Sequence, residues 1–362
     1  MLSDTHPFPR ILRERRRRWR RAAFVGAILL VVLAAAAPAM ADIPVGTSPQ
    51  AVAVNTATHK VYVANYGSNT VTVIGGATSA TTTVPVGSNP CALDVDPVTN
   101  KVYVVNAGSN TVTVIDGLTR ATSTVTVGSF PGAVAVNTVT HKVYVTNYAG
   151  NTVTVIDGLT LATTTVTVGK QPRAVAVNPV TNVAYVANGS SNSVTVIDGL
   201  TLATTTVTVG KQPCAVAVSS VTNMAYVVNA GSNTVTVIDG ARNATTTVAV
   251  GTLPRAVAVN SVTNMAYVAN NGSNTVTVID GATNATTTVA VGSFPGAVAV
   301  NPVTNMAYVV NSGSNSVTVI DGATSATTTV AVGALPDAVG VDPVTSRVYV
   351  ANNGSNSVTV FP

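Results

Sequence analysis

The chain has 362 residues, 9% of them charged, and a formal net charge of +5 at neutral pH. This positive charge belongs to the first 41 residues, because from Asp42 onward five Lys and five Arg face eleven Asp, a net of −1. A near-neutral body without a basic arm or stripe argues against nucleic-acid binding, which depends on cationic contacts with phosphates. Two cysteines, Cys91 and Cys214, are too few for a fold held by a disulfide framework.

Residues 1–41 have the pattern of an export signal. Eight arginines between Arg10 and Arg21 precede an apolar run over residues 22–37, and a small-x-small site follows at residues 39–41. This order is typical of a secretory signal peptide. The apolar run has 16 residues, fewer than the about 20 of a membrane-spanning helix. An uncleaved signal anchor with cytoplasmic arginines is the alternative. We therefore predict an exported protein (periplasmic, extracellular or on the cell surface), with membrane contact only if the leader stays uncleaved.

The rest of the chain is one unit repeated eight times. The glycine of a Val-Gly pair recurs from Gly46 to Gly333 in steps of 41 residues, without an insertion or deletion. A proline from Pro49 to Pro336 and a tyrosine from Tyr62 to Tyr349 keep the same step. Such a period indicates a repeat architecture, in which each copy is one supersecondary unit.

One repeat predicts four β-strands. In the first copy, β-rich runs cover residues 51–54, 60–64, 70–74 and 81–86, separated by segments rich in Asn, Gly, Ser, Pro and Thr. Helical periodicity with caps is absent from this sequence pattern. The prediction is an all-β domain of antiparallel meanders, and a four-stranded repeat of this length is typical of a β-propeller blade.

The two ends of the array predict how the ring closes. The first three strands occur eight times, but the fourth occurs only seven times within the array. Residues 43–46, Ile-Pro-Val-Gly, copy the fourth-strand ending Val-Pro-Val-Gly at residues 84–87. We expect this N-terminal segment to supply the outer strand of the last blade, which covers an open edge. The prediction is a single eight-bladed propeller over residues 42–362.

The repeat also carries a family resemblance. The second strand of the third copy reads Tyr-Val-Thr-Asn at residues 144–147, Asn-Pro-Val-Thr-Asn precedes this strand at 178–182 and 301–305, and Ser-Asn-Thr-Val-Thr-Val-Ile-Asp-Gly follows it in other copies. Over residues 43–362 the sequence resembles the YVTN family of propeller repeats. The resemblance implies an exported or surface-layer propeller and no particular reaction. Relatives in that family are commonly seven-bladed, so eight blades depart from it.

The recurring polar residues are explained by turns. An Asp-Gly pair follows the third strand in six repeats, and we expect the aspartate to cap the turn while the glycine takes a positive φ. These carboxylates do not converge on one Ca²⁺, which needs about six to eight oxygens. Recurrent asparagines such as Asn65 suit the loop after the second strand. His59 and His141 are expected to be surface polar residues, since no partners for a metal recur beside them. The six aspartates are Asp116, Asp157, Asp198, Asp239, Asp280 and Asp321.

One position varies freely and is the candidate site. The residue after the repeat proline begins the innermost strand, so its eight copies are expected to ring one mouth of the central channel. Lys170 and Lys211, three residues earlier in blades four and five, add positive charge. Variable residues on a rigid scaffold are a common place for binding, and the alternative is that these positions are exposed and have drifted. The predicted ligand-binding residues are Lys170, Arg173, Lys211, Arg255, Asp337 and Gln50.

These observations favour a non-enzymatic propeller that binds a partner protein or a small anionic or glycan ligand at the channel mouth. The body contains no Glu, and neither a nucleophile elbow nor a phosphate loop is present in it. No catalytic residue, metal ligand or cofactor is predicted. The alternative is a propeller lyase or lactone hydrolase with a channel-bound metal, and a spacer without a ligand is a third hypothesis.

Overall fold

The computed structural model describes residues 41–362, so the predicted leader lies outside the described residues. Within this part of the chain every regular element is a β-strand, arranged in eight four-stranded sheets. No helix there is long and apolar enough to cross a membrane.

The strands follow the 41-residue repeat. Blades one to seven each contain four consecutive strands, and blade eight contains β30, β31, β32 and the N-terminal β1. The first strands are β2 (Pro49–Asn55), β6 (Pro90–Asp96), β10 (Pro131–Val136), β14 (Pro172–Asn178), β18 (Pro213–Ser219), β22 (Pro254–Asn260), β26 (Pro295–Asn301) and β30 (Pro336–Asp342). The second strands are β3 (Lys60–Asn65), β7 (Lys101–Asn106), β11 (Lys142–Asn147), β15 (Val183–Asn188), β19 (Met224–Asn229), β23 (Met265–Asn270), β27 (Met306–Asn311) and β31 (Arg347–Asn352). The third strands are β4 (Thr70–Gly75), β8 (Thr111–Asp116), β12 (Thr152–Asp157), β16 (Ser193–Asp198), β20 (Thr234–Asp239), β24 (Thr275–Asp280), β28 (Ser316–Asp321) and β32 (Ser357–Phe361). The fourth strands are β5 (Thr81–Pro85), β9 (Thr122–Thr126), β13 (Thr163–Thr167), β17 (Thr204–Thr208), β21 (Thr245–Ala249), β25 (Thr286–Ala290), β29 (Thr327–Ala331) and β1 (Ala41–Pro44).

Each blade is the predicted antiparallel meander. In blade one, β2 pairs with β3, β3 with β4 and β4 with β5. The register shifts between Pro49 and Ala51, so the residue after each repeat proline is the extra residue of a β-bulge. The first strands of neighbouring blades contact one another around the ring, which makes them the innermost strands.

The ring closes as predicted. β1 pairs antiparallel with β32, placing Ile43 opposite Val358 and Pro44 opposite Ser357. Ile43 is buried in a cluster that also contains residues of blades one and eight. The innermost strands β2 and β30 contact each other, so the last blade packs against the first. The fold is therefore an eight-bladed β-propeller, as expected for residues 42–362.

The core lies between blades rather than inside a single sheet. One cluster joins Tyr62 and Val71 of blade one to Val102 and Ile115 of blade two, and equivalent clusters recur around the ring. The second and third strands are buried on both faces, which explains their Val, Ala and Tyr content. The fourth strands expose four of their five residues and bury one, which explains their threonines.

The strand directions create two faces. One face carries the loops that lead into each repeat proline and the loops between second and third strands, such as residues 47–48 and 66–69 in blade one. We call it the proline face. The aspartate face carries the loops between first and second strands and between third and fourth strands, such as residues 56–59 and 76–80. All the Asp-Gly turns lie on the aspartate face.

The Asp-Gly turns confirm one expectation and correct another. Asp116 accepts hydrogen bonds from the backbone N–H groups of Leu118 and Thr119 at 2.9 and 2.8 Å, so the aspartate does cap the turn. The predicted positive φ of the glycine is wrong, because no glycine in residues 41–362 has one. The glycine is required by close neighbours in its own blade and in the adjacent blade instead. A Cβ at Gly158 would lie 2.3 Å from the His141 carbonyl oxygen and 2.6 Å from the Tyr103 hydroxyl.

The recurrent asparagines are structural. Asn65 is buried, and its amide donates hydrogen bonds to the hydroxyls of Thr70 and Thr72 at 3.1 and 2.9 Å. Asn69 takes the left-handed backbone with a φ of 56°, which asparagine tolerates better than most residues. Its side-chain oxygen accepts the Asn89 N–H at 2.8 Å, which ties the loop of blade one to the entry of blade two.

Candidate functional site

The two histidines of the body join blades on the aspartate face. His59 Nδ1 lies 2.8 Å from Asp342 Oδ2, and His141 Nδ1 lies 2.7 Å from Asp96 Oδ2. Both aspartates are buried. The expectation that these histidines are merely surface polar residues is therefore wrong. For Asp342, burial favours the protonated form, but hydrogen bonds from Thr345 and His59 lower its pKa below the usual range.

Other blades make the same contact with two asparagines. Asn55 donates its amide hydrogen to Asn100 Oδ1 at 2.8 Å, and Asn137, Asn178 and Asn260 form equivalent bonds with the following blade. An aspartate at this position is thus accompanied by a histidine 45 residues later, counted around the ring. This paired exchange was the sequence signal that could have identified the contact.

Most basic side chains of the aspartate face also join blades. Lys101 Nζ donates to the Gly158 carbonyl at 2.6 Å, and three other residues at the start of second strands contact the equivalent carbonyl of the next blade. Arg242 pairs with Asp239 at 3.2 Å. The three equivalent donors are Lys60, Lys142 and Arg347. The charges of these four carbonyl donors are therefore used in assembling the ring, whereas Arg242 pairs within its own turn.

Metal-ligating side chains do not converge within residues 41–362: no group of three His, Cys, Asp or Glu could hold an ion there.

The two cysteines are free, and each thiol faces a carbonyl of the neighbouring blade, Pro131 at 3.7 Å and Pro254 at 3.6 Å. Burial raises the pKa of Cys91 to about 11, which keeps this thiol protonated near neutral pH.

The proline face carries four cationic side chains that have no partner in the described part of the chain. Lys170, Arg173, Lys211 and Arg255 are all exposed. Among the described residues, none of these four side chains forms an ion pair or donates a hydrogen bond, although hydrogen bonds and ion pairs occupy most cations of the opposite face. Their charges are therefore available to a ligand.

Arg173 is held in place by two neighbours. Its guanidinium carbon lies 5.9 Å from the centroid of the Tyr148 ring, within the range of a cation–π contact. Tyr148 packs in turn against Phe130, with ring centroids 6.2 Å apart. A Cβ at Gly189 would lie 2.7 Å from Arg173 Nε, so the side chain passes over a residue that has no side chain. Around Arg255 the positions equivalent to Tyr148 and Gly189 are occupied by Ala230 and Asn271.

Two adjacent grooves lie beside these cations. The first has a volume of about 520 Å³ and is lined by residues of blades three and four, and the second has about 440 Å³ and is lined by residues of blades four and five. Both are open depressions of the surface rather than enclosed clefts. Ser190 lines both grooves. The first groove is lined by Tyr148, Ala149, Asn151, Lys170, Gln171 and Ser190, and the second by Gly189, Ser190, Asn192, Lys211, Gln212 and Gly231.

The loops of these grooves are fixed by backbone contacts. The Gln171 N–H donates to Asn151 Oδ1 at 2.8 Å, and the Lys170 N–H donates to Ser191 Oγ at 2.6 Å. Gln171 has a φ of 54°, and its side-chain oxygen accepts a hydrogen bond from the Ser190 hydroxyl. The lysine therefore extends from a loop whose backbone is held by hydrogen bonds from two neighbouring loops.

The structure separates the six predicted site residues. Lys170 and Lys211 each line a groove, and Arg173 lies over Gly189 of the second groove. Gln50 and Asp337 line neither groove. Asp337 is exposed, but surrounding protein removes enough water to raise its pKa, and the positive charge of Arg255 partly opposes this shift. Asp337 is therefore near enough to Arg255 for the two charges to interact.

Sequence reasoning missed the neutral lining residues Gln171, Ser190 and Gln212. A signal for them existed, because Ser190 stands where six other copies have glycine and one has alanine.

Asp94, noted in the sequence only as an acid outside the repeat pattern, lies on an innermost strand where six other copies have alanine. It accepts the Val136 N–H of the next blade and the Val95 N–H, both at 2.8 Å. Burial raises the pKa of Asp94 to about 6.

Comparisons with known proteins support the fold. No family model matches the sequence, and none of the curated proteins matches it. Among solved structures, the chain is similar to hydrazine synthase of Kuenenia stuttgartiensis, with a TM-score of 0.61 and 20% identity. The match covers 90% of this chain and 98% of the hydrazine synthase chain. At this level of identity the similarity shows the propeller fold, and it carries no activity to this protein.

Proposed function

We propose that this protein is an exported, non-enzymatic β-propeller of the YVTN type that binds an anionic ligand on its proline face. The observation that carries the proposal is the group of four unpaired cations, Lys170, Arg173, Lys211 and Arg255, on a face where Asp337 is the one acid among residues 41–362. The ligand is a small anionic molecule or an acidic group on a partner protein. Export and membership of the YVTN family rest on the leader and repeat patterns.

The non-enzymatic part of the proposal rests on how the ionisable groups are used. The histidines pair with aspartates across blades, and the recurrent aspartates cap turns. General acid–base catalysis needs a group within hydrogen-bond reach of a bound substrate. The two grooves are lined by lysine, amide and hydroxyl groups, which favour binding over proton transfer.

Charge reversal tests the anion site. We expect Arg173→Glu with Arg255→Glu to weaken binding of tripolyphosphate or tetragalacturonate, used as anionic probes, by at least about tenfold, because attraction becomes repulsion. Arg120→Glu is the matched control, since Arg120 is an unpaired cation of the aspartate face. Isothermal titration calorimetry measures both. Binding by the double variant at the strength of the unchanged protein would count against this site.

The export component has a separate test. Cleavage after residue 41 predicts a mature chain beginning at Asp42, which N-terminal sequencing of the protein from the producing cells detects. An intact N terminus in the membrane fraction would favour the signal-anchor alternative. An intact protein in the cytoplasm would contradict export.

A further inference from the structure

The departures from the repeat on the proline face are concentrated in blades three to five. Only two of the eight proline-face entries read Lys-Gln before the repeat proline, residues 170–171 and 211–212. The other six have small polar or apolar residues, such as Thr252 and Leu253. The pair ends a stretch that is identical at residues 153–172 and 194–213, so one duplicated segment gives blades four and five the same entry.

We propose that the two grooves are adjacent subsites for an acidic oligosaccharide, with one sugar carboxylate at Lys170 and another at Lys211. This inference rests on the proposed anion-binding function and specifies its ligand class. The 41-residue step makes half of the two linings equivalent: Lys170, Gln171 and Asn151 in one groove correspond to Lys211, Gln212 and Asn192 in the other. The other three positions differ, because Gly189, Ser190 and Gly231 replace Tyr148, Ala149 and Ser190. Matching subsites suit a ligand that also repeats.

The neutral groups favour a sugar over a simple phosphate. Each groove combines one lysine with amide side chains and the shared Ser190 hydroxyl. Sugar hydroxyls both donate and accept hydrogen bonds, and amides and hydroxyls can do both, whereas an ionised phosphate mainly accepts. Gln212 has no side-chain hydrogen bond within residues 41–362, and Gln171 retains its amide donors after accepting from Ser190.

Arg173 adds a fixed charge between the two subsites. It is held over Gly189 by the Tyr148 ring, and Gly189 lines the second groove. A guanidinium held in one orientation loses little freedom when it pairs with a carboxylate. Linking two weak sites through one ligand raises the overall affinity without new contacts. The arrangement therefore predicts a strong dependence on oligosaccharide length.

The experiment compares the unchanged protein with Lys170→Thr, Lys211→Thr and the double variant. Each variant keeps the full chain. Thr occupies the same repeat position at residues 47 and 252, so these changes fit the scaffold. The probes are galacturonate, tetragalacturonate, its methyl ester and tripolyphosphate, measured by calorimetry with thermal melts as a folding control. Arg120→Thr is the control variant on the aspartate face.

We expect tetragalacturonate to bind at least about tenfold more tightly than galacturonate, and the methyl ester to bind weakly because it lacks charge. Each single lysine variant should bind tetragalacturonate about three- to tenfold more weakly than the unchanged protein. The double variant should bind the tetramer no more tightly than the monomer. Equal binding of the monomer and tetramer would overturn the two-subsite inference. So would retention of tetramer binding in the double variant.

The tripolyphosphate arm separates this inference from the proposed function. If tripolyphosphate binds and is lost in the lysine variants while no uronate binds, the anion site stands and the sugar assignment fails. If neither probe binds the unchanged protein, both the anion site and the sugar assignment fail. Binding of both probes with the same loss in Arg120→Thr would also overturn both, because it would reflect net charge alone.

Discussion

The aspartate and proline faces carry similar residue types but use them differently. On the aspartate face, five of six basic side chains contact a carbonyl or a carboxylate, namely Lys60, Lys101, Lys142, Arg242 and Arg347. On the proline face, none of the four basic side chains forms such a contact within the described residues. On the first face four of these charges join one blade to the next, whereas the charges of the second face are free to meet a ligand.

This difference shows how a near-identical repeat can hide or reveal function. In the blade-to-blade contacts each aspartate occurs together with a histidine of the neighbouring copy, whereas the uncharged exchanges Ser219 and Ser346 occur singly. Asp96 and His141 changed together, and so did Asp342 and His59. Lys170 and Lys211 changed without any partner in the scaffold. Unpaired departures from the repeat are therefore the better guide to binding.

The largest expected effect comes from opening the ring, on which both faces depend. Removing residues 42–46 takes away most of β1 and exposes the edge of β32. Burial of Ile43 alone contributes about 1.5–3 kcal/mol, and the lost strand pairing adds to it. We expect the melting temperature to fall by at least about 5 °C, measured by calorimetry. An unchanged melt would contradict the closure of the ring by β1.

The next effect tests the aspartate face through the closing contact between blades eight and one. His59→Ala leaves the buried Asp342 carboxylate without its partner. Because the His59 side chain is 36% exposed, solvent screens part of the lost interaction. We expect the free energy of unfolding to fall by about 1–3 kcal/mol. Ligand binding on the proline face should be unchanged. Chemical denaturation with a calorimetric binding assay measures both quantities.

The repeat itself supplies the control for that substitution. His59→Asn combined with Asp342→Asn recreates the Asn55–Asn100 hydrogen bond found elsewhere in the ring. This double variant should recover most of the stability lost in His59→Ala. If it remains as unstable as the single variant, the two contacts are not equivalent and the paired exchange is coincidental.

A smaller effect is expected in the channel wall, at Asp94. Its folded pKa of about 6 lies above that of an unfolded aspartate, about 3.9. The unfolded chain therefore releases this proton first, and stability falls as the pH rises from about 4 to 6. Asp94→Ala, which copies six other blades, should remove this part of the pH dependence. Denaturation of both proteins at pH 4, 5, 6 and 7 measures the difference. Parallel curves would contradict the raised pKa.

Most of the fold could be predicted from the sequence, and the site only in part. The 41-residue repeat predicted four strands per blade. The similarity of residues 43–46 to residues 84–87 predicted the strand that closes the ring. The His59–Asp342 contact was missed because its partners are 283 residues apart in the chain and adjacent only in a ring. The glycine after Asp157 was assigned a local backbone role, although Tyr103 of the neighbouring blade and His141 of the same blade determine it.

The separation of roles between the two faces has a direct test in one variant. Lys170→Thr, Gln171→Leu and Arg173→Gly together replace the entry of blade four with residues that occupy the same positions at Thr252, Leu253 and Gly132. We expect a melting temperature within about 2 °C of that of the unchanged protein, since substitutions on the surface cost little, and a loss of anion binding. A fall in melting temperature as large as that of His59→Ala, or unchanged anion binding, would contradict this separation of roles.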